Sequence, residues 1–291
     1  MDKRQKFRKL LSQKELLLAP GVYDALSARI AQHCGFPVLY MTGYGVAAAY
    51  GYPDFGLLTM SEMLESVRRI SDATEIPLVA DADNGYGNAV NVYRTVKEYE
   101  KAGASAIQLE DQTWPKRCGH MESKQVISAE EMTDKVKAAV DARVDENTAL
   151  IIRTDALAIH GYDESMRRAA MYTEAGADML FVEAPNIEQV REIPSRLDKP
   201  CVLNMAFHLY DLDMDALKEM GYAMVLYPGL LMVGVVTGCL KNCKTLLEEG
   251  KYLNPADFPF TFDEFNNFLG IDTFRELEGR YARKDETERN G

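Results

Sequence analysis

Short apolar runs alternate with longer stretches of helical period along most of this chain. Residues 16–19, 37–41, 77–80, 106–109, 149–152, 179–182, 201–203 and 223–226 are almost wholly apolar. Runs this short, with no alternation of polar positions, read as strands buried on both faces. Between them, 24–33, 61–72, 89–102, the stretch opening at Ser128, 163–175 and 230–249 carry helical spacing. Strands that alternate with helices imply a parallel sheet. Eight such units within 291 residues fit a closed (β/α)8 TIM-type barrel better than an open sheet.

Polar residues fall where the apolar runs stop. Thr42, Asp81, Asp83, Glu110, Arg153, Glu183 and Asn204 all stand at or just past a strand end. In a barrel of this kind that rim carries the active site. Any one of these residues reads equally well as a helix cap or a loop ion pair. A whole ring of them is harder to explain that way.

Beyond Lys251 the pattern changes. Residues 254–259 form a turn-rich linker, and 262–268 and 272–281 are helical, with Phe274, Leu277 and Tyr281 on one face. The expected division is a barrel over 1–250 and a helical extension over 251–291. Spacing alone does not decide whether the extension packs on its own barrel or on a neighbouring subunit.

Composition narrows the function. A net charge of -12 argues against nucleic acid as a partner. No run approaches the roughly 20 apolar residues of a membrane span, and the first residues lack a secretory signal; the expectation is a cytoplasmic protein. The five cysteines are odd in number and scattered, so no disulfide framework is expected. Cys239 and Cys243, four apart on a helix, read as small core-fillers rather than metal ligands.

The densest chemistry lies at Lys116-Arg117-Cys118-Gly119-His120. Two cations favour the thiolate of Cys118, which suits proton exchange near neutral pH. Gly119 lets the loop bend as a lid must. His120 holds a substrate oxygen or tunes the thiol, and Trp114 packs the base of the loop. Asp81 and Asp83 share a face if the strand stays extended. With Glu110 on the next strand they form an oxygen-rich pocket suited to Mg²⁺, with Mn²⁺ an alternative. The 42–45 turn offers a hydroxyl and backbone N–H groups to an anion. Arg153 wants a carboxylate, from substrate or from Glu183.

The 116–120 loop, Asp81-Ala82-Asp83-Asn84-Gly85-Tyr86-Gly87, Glu110-Asp111-Gln112 and Leu39-Tyr40-Met41-Thr42-Gly43 together resemble the isocitrate lyase and phosphoenolpyruvate mutase superfamily. The resemblance spans nearly the whole chain and is closest to the short 2-methylisocitrate and 2,3-dimethylmalate lyases. It implies a barrel whose C-terminal helices are swapped between subunits of a homotetramer. It implies Mg²⁺ or Mn²⁺ held through Asp81 and Asp83, partly through water. Tyr40, Thr42, Gly43 and Tyr44 would line an α-keto acid pocket, with Gly119 also touching substrate. Asp54, Lys116, Arg153, Glu183 and Asn204 match further site positions.

Two departures stand out. Tyr44 occupies a position that is glycine in the methylisocitrate lyases. Ala206-Phe207-His208-Leu209 replaces a loop in which many relatives carry an acid and two glycines. The resemblance implies retro-aldol cleavage of a 2-hydroxy dicarboxylate to pyruvate and a carboxylate. Cys118 would protonate the leaving carbanion, and the departures favour a small apolar substituent. The alternatives are a phosphonomutase of the carboxyphosphonoenolpyruvate type, an oxaloacetate hydrolase or decarboxylase, and a barrel that only binds a keto acid.

Overall fold

A computed structural model describes residues 1–119, 123–206, 209, 212–251 and 260–282. Eight strands close into a barrel in sequence order: β1 (Leu17–Val22), β2 (Leu39–Met41), β3 (Leu78–Asp81), β4 (Ala106–Glu110), β5 (Ala149–Thr154), β6 (Met179–Val182), β7 (Cys201–Asn204) and β8 (Tyr222–Tyr227). Every neighbouring pair is parallel, including the β1–β8 closure. The (β/α)8 expectation therefore holds.

Strand alternation sorts the apolar residues into two sets. Leu17, Ala19, Tyr40, Val79, Ile151, Phe181, Val202 and Met224 fill the interior as one cluster. Leu39, Met41, Leu78, Ala80, Ile107, Leu150 and Ile152 face outward beneath the helices. The interior is a packed core, so the barrel's chemistry is confined to its ends.

One end is stoppered by the helix Lys3–Ser12, whose Phe7 is fully buried within the interior cluster. Its basic residues satisfy backbone carbonyls that the strand starts leave open. Arg4 donates to the carbonyls of Ala104 and Glu100. Arg8 donates to those of Asn147 and Thr148 and pairs with Asp178 at 2.9 Å.

The strands run past several expected boundaries. β1 continues through Pro20 and Gly21, where a side chain at Gly21 would collide with the backbone of Pro228 after β8. Two helices carried no clear signal in the sequence. Ile187–Arg196 contains Pro194 near its end, and Met214–Glu219 has only six residues.

The chain divides into two compact units, Met1–Gly234 and Val235–Gly291. The long helix Leu230–Glu249 contains the boundary, and none of its side chains is buried. By length and composition alone it meets the test for a membrane span. This corrects the expectation that no run does. Cys239 and Cys243 lie on it exposed, which corrects their reading as core-fillers. In the second unit, Thr261 caps the helix Phe262–Phe268 and Glu264 returns a capping-box bond. Phe260 and Phe265 both stack near Phe268, at 5.8 and 6.0 Å between centroids. The helix Ile271–Tyr281 follows. The expected linker at 254–259 lies outside the described residues.

If Phe7 stoppers the barrel, Phe7→Ala should lower unfolding free energy by about 3–5 kcal/mol, the usual cost of deleting a buried phenylalanine ring. Urea unfolding of both proteins measures it. A change below about 1 kcal/mol would mean that the floor of the barrel is sealed by other contacts.

Candidate active site

At the opposite end, the strand termini surround a cavity of about 390 Å³. Tyr40, Thr42, Tyr44, Asp54, Asp81, Glu110, Lys116, Cys118, Gly119, Arg153, Glu183 and Asn204 all line it. These are twelve of the fifteen candidate positions read from the sequence. Gly43 and Asp83 stand behind the wall, and His120 lies outside the described residues.

Asp81 closes β3 and is held by four hydrogen bonds. Its Oδ2 accepts from the Tyr40 hydroxyl at 3.3 Å and the Gly43 N–H at 3.2 Å. Its Oδ1 accepts from the Asp83 N–H at 3.1 Å and Gln108 Nε2 at 3.4 Å. Burial raises the Tyr40 hydroxyl far above its ordinary range, so it remains a donor. Gly43 has to be glycine, because a Cβ there would stand 2.8 Å from Asp81 Oδ2. Two N–H groups of the 42–45 turn are thus engaged, Gly43 on Asp81 and Gly45 on Thr42.

Asp83 does not share a strand face with Asp81. The strand ends at Asp81, and Asp83 takes a left-handed backbone, φ 48°. Its Oδ1 lies 2.7 Å from Lys116 Nζ, which is also 2.7 Å from Asp54 Oδ1. Burial opposes the charge on Lys116, but Asp83, Asp54 and Glu110 outweigh it and raise its pKa. Burial pushes Asp83 up to about 6 despite Lys116.

The thiol loop is tied to the segment around Asp54. The Cys118 N–H donates to the Asp54 carbonyl at 3.1 Å, and the Arg117 guanidinium lies over the Phe55 ring at 5.5 Å. Buried Gln112, just past β4, clamps the Arg117 backbone from both sides with two 3.0 Å bonds. Cys118 itself is half-buried. Trp114 is largely exposed and meets Tyr86 edge-on at 6.2 Å.

Arg153 on β5 has a partner that the sequence reading missed. Its Nε and Nη2 fork onto Asp155 at 2.8 and 2.9 Å, whereas Glu110 and Glu183 stand at 3.5 and 3.6 Å. Burial disfavours the Asp155 carboxylate, but Arg153 and Lys124 more than offset this and hold its pKa below the usual range. Asp155 was visible two residues after Arg153, but nothing in the sequence marked it as fully buried. Burial pushes the Glu110 carboxyl well above the usual carboxylate range, against Arg153. Asn204 donates to Glu183 at 3.3 Å.

Among the described residues, no three acidic, imidazole or thiol groups converge as a closed metal cage. What the cavity presents is a well-oriented carboxylate at Asp81 and a buried Glu110 Oε1 with no hydrogen-bond partner among those residues. Hard oxygen donors with room for water fit an ion such as Mg²⁺, which keeps much of its hydration.

Cations and acids aimed into a cavity of this size, at the carboxyl rim of a parallel barrel, define an enzyme of small anions. The family described as phosphoenolpyruvate phosphomutase matches residues 7–247. The chain is 42% identical to 2,3-dimethylmalate lyase of Eubacterium barkeri, covering 97% of this chain and 99% of that one. It is 37% identical to 2-methylisocitrate lyase of Aeropyrum pernix, covering 96% and 91% of the two. A solved phosphonopyruvate hydrolase in complex with oxalate and Mg²⁺ superposes with a TM-score of 0.88 at 31% identity, covering 97% and 100%. The chain belongs to the phosphoenolpyruvate mutase/isocitrate lyase superfamily.

Gly119 bears directly on how the loop seats. A Cβ there would collide with Arg153 Nη2 and Glu183 Oε1. Gly119→Ala should therefore lower kcat about a hundredfold through misplacement of the thiol, with the melting temperature nearly unchanged. Unaltered kcat would show that this seat is not used in turnover. Burial pushes the Cys201 thiol up to about 12. At pH 8 it should resist iodoacetamide while Cys118 reacts, as peptide mapping would reveal.

Proposed function

We propose that the protein cleaves a 2-hydroxy dicarboxylate with a small alkyl substituent, of the 2,3-dimethylmalate type, to pyruvate and a short carboxylate. The observation that carries this reading is that Cys118, Asp81, Glu110 and Arg153 line one cavity. Arg153 and Lys116 draw in the substrate carboxylates. The hydroxyl proton passes to a carboxylate, and buried Glu110, with its raised proton affinity, suits that task. The C2–C3 bond then breaks. Its C2–O bond becomes the carbonyl of the keto acid, and the electron pair remains on C3 of the departing carboxylate. Arg153 stabilises that charge, Glu183 and His120 assist, and Cys118 delivers a proton to C3. The closed loop keeps water from competing.

A divalent ion, Mg²⁺ or Mn²⁺, would be held by Asp81 and, through water, by Asp83 and Glu110. Bound there, it would polarise the substrate hydroxyl and the adjacent carboxylate. Tyr40, Thr42, Gly43, Tyr44, Gly119 and Asn204 shape the keto acid end. In this reading the protein is cytoplasmic and acts as a homotetramer. Residues 1–250 form the catalytic barrel, and the helices in 251–291 are exchanged between subunits. Exposed Val235, Val236, Leu240 and Leu247 supply an apolar surface for a second copy.

Another part of the cavity favours the smaller substrate. Among the described residues, the apolar part of the lining, Met205, Ala206, Leu226, Pro228, Met232 and Val233, offers no cation to the third carboxylate of 2-methylisocitrate. We expect kcat/KM for 2,3-dimethylmalate to exceed that for 2-methylisocitrate by at least about tenfold, as a carboxylate left unpaired against that lining implies. Pyruvate release from each measures this, and the reverse order would reassign the substrate. EDTA should abolish turnover, and Mg²⁺ or Mn²⁺ should restore it. Cys118→Ser should cost about 10²–10⁴ in kcat. Near-normal turnover without the thiol would favour a phosphonomutase or an oxaloacetate hydrolase.

A further inference from the structure

Lys124 lies past the thiol loop, and the proposed reaction gives it no task. Its side chain is only 4% exposed, and that of Asp155 beside it is fully buried. The ammonium donates to the backbone carbonyl of Gly119 and to Asp155 Oδ1, the latter at 2.9 Å. The same Oδ1 accepts from Arg153 Nη2, and Oδ2 accepts from Arg153 Nε. Asp155 is fixed in turn by its own N–H, which donates to Asp111 Oδ1 at 2.8 Å. One buried charge therefore joins the backbone next to Cys118 to the carboxylate that aims Arg153.

A buried ammonium is costly unless its partners are in place. Lys124 has two described partners, one on the loop and one on the barrel. If the loop lifts, the ammonium loses the Gly119 carbonyl and is left with Asp155. If Asp155 moves, Arg153 loses its fork. The geometry points to Lys124 as a positioning residue that latches Gly119, and with it Cys118, onto the Arg153–Asp155 pair. The latch makes seating of the thiol conditional on correct aim of the guanidinium. An acid-lined cavity then meets a proton donor only when its anion-binding group is ready. The consequence for turnover rests on Cys118 being the proton donor; the latch itself does not.

Thiol accessibility tests the latch without substrate. Iodoacetamide modification of Cys118 is followed by peptide mass mapping in the full-length protein and in Lys124→Met, Lys124→Gln and Lys124→Arg. Exposed Cys34 serves as an internal reference. Lys137→Met, at a largely exposed lysine, serves as a control. Lys124→Met and Lys124→Gln should raise the Cys118 rate at least about tenfold, the least that loss of a charged hydrogen bond implies. Cys34 should be unaffected. Lys124→Arg should recover most of the protection.

With a turned-over diacid, Lys124→Met should lower kcat about a hundredfold while KM changes by less than about threefold, because the thiol moves and the anion site remains. Unchanged alkylation in whichever neutral variants fold overturns the latch. So does a rise shared by Cys34, which would report general loosening. If alkylation rises as expected but neither diacid turns over, the latch stands and the substrate assignment falls.

Discussion

The rim of this barrel is governed by a surplus of buried negative charge. Asp54, Asp81, Asp83, Glu110, Asp155 and Glu183 are all buried there. Lys116, Arg153 and Lys124 are the buried cations that answer them. Six buried acids against three cations is an unstable balance. Burial raises the proton affinity of Glu110 despite Arg153, and the nearby Asp155 and Asp81 add to the rise. Such a site gains from any positive charge that arrives with the reactants. Hard oxygen donors and an under-neutralised wall are what a hydrated divalent cation would stabilise.

The cations are shared, and that sharing couples the loops. Lys116 spans Asp54 and Asp83, and so ties the 54–56 segment, the turn after β3 and the thiol loop together. Gly56 sits so close that a Cβ would lie 3.1 Å from the Lys116 N atom. Lys124 and Arg153 divide Asp155 between them. Each ion pair borrows a partner from another, so loss of one charge spreads beyond its own contact.

Much of this was legible in the sequence, for a physical reason. Strands buried on both faces must be apolar, and polar side chains can then stand only at their ends. The eight strands and the acids at their tips were therefore visible as pattern. What pattern could not carry was pairing across space. Asp155 looked like any acid after a strand until its burial against Arg153 was seen. Lys124 and Gln112 act through backbone groups, which no spacing rule marks. Asp83 looked like a strand-face partner of Asp81, but its left-handed turn broke the alternation. His120, expected beside the thiol, lies outside the described residues, as do Phe207 and His208.

The ring of Phe7 has an effect far from its own position. With that ring and the packed interior closing the far end, no passage runs through the cylinder. Reactants and products must share a single doorway. Under the proposed cleavage, two fragments born together in such a blind pocket have to depart in sequence. The one seated deeper waits for the other, so the order of release is dictated by the depth at which each is made.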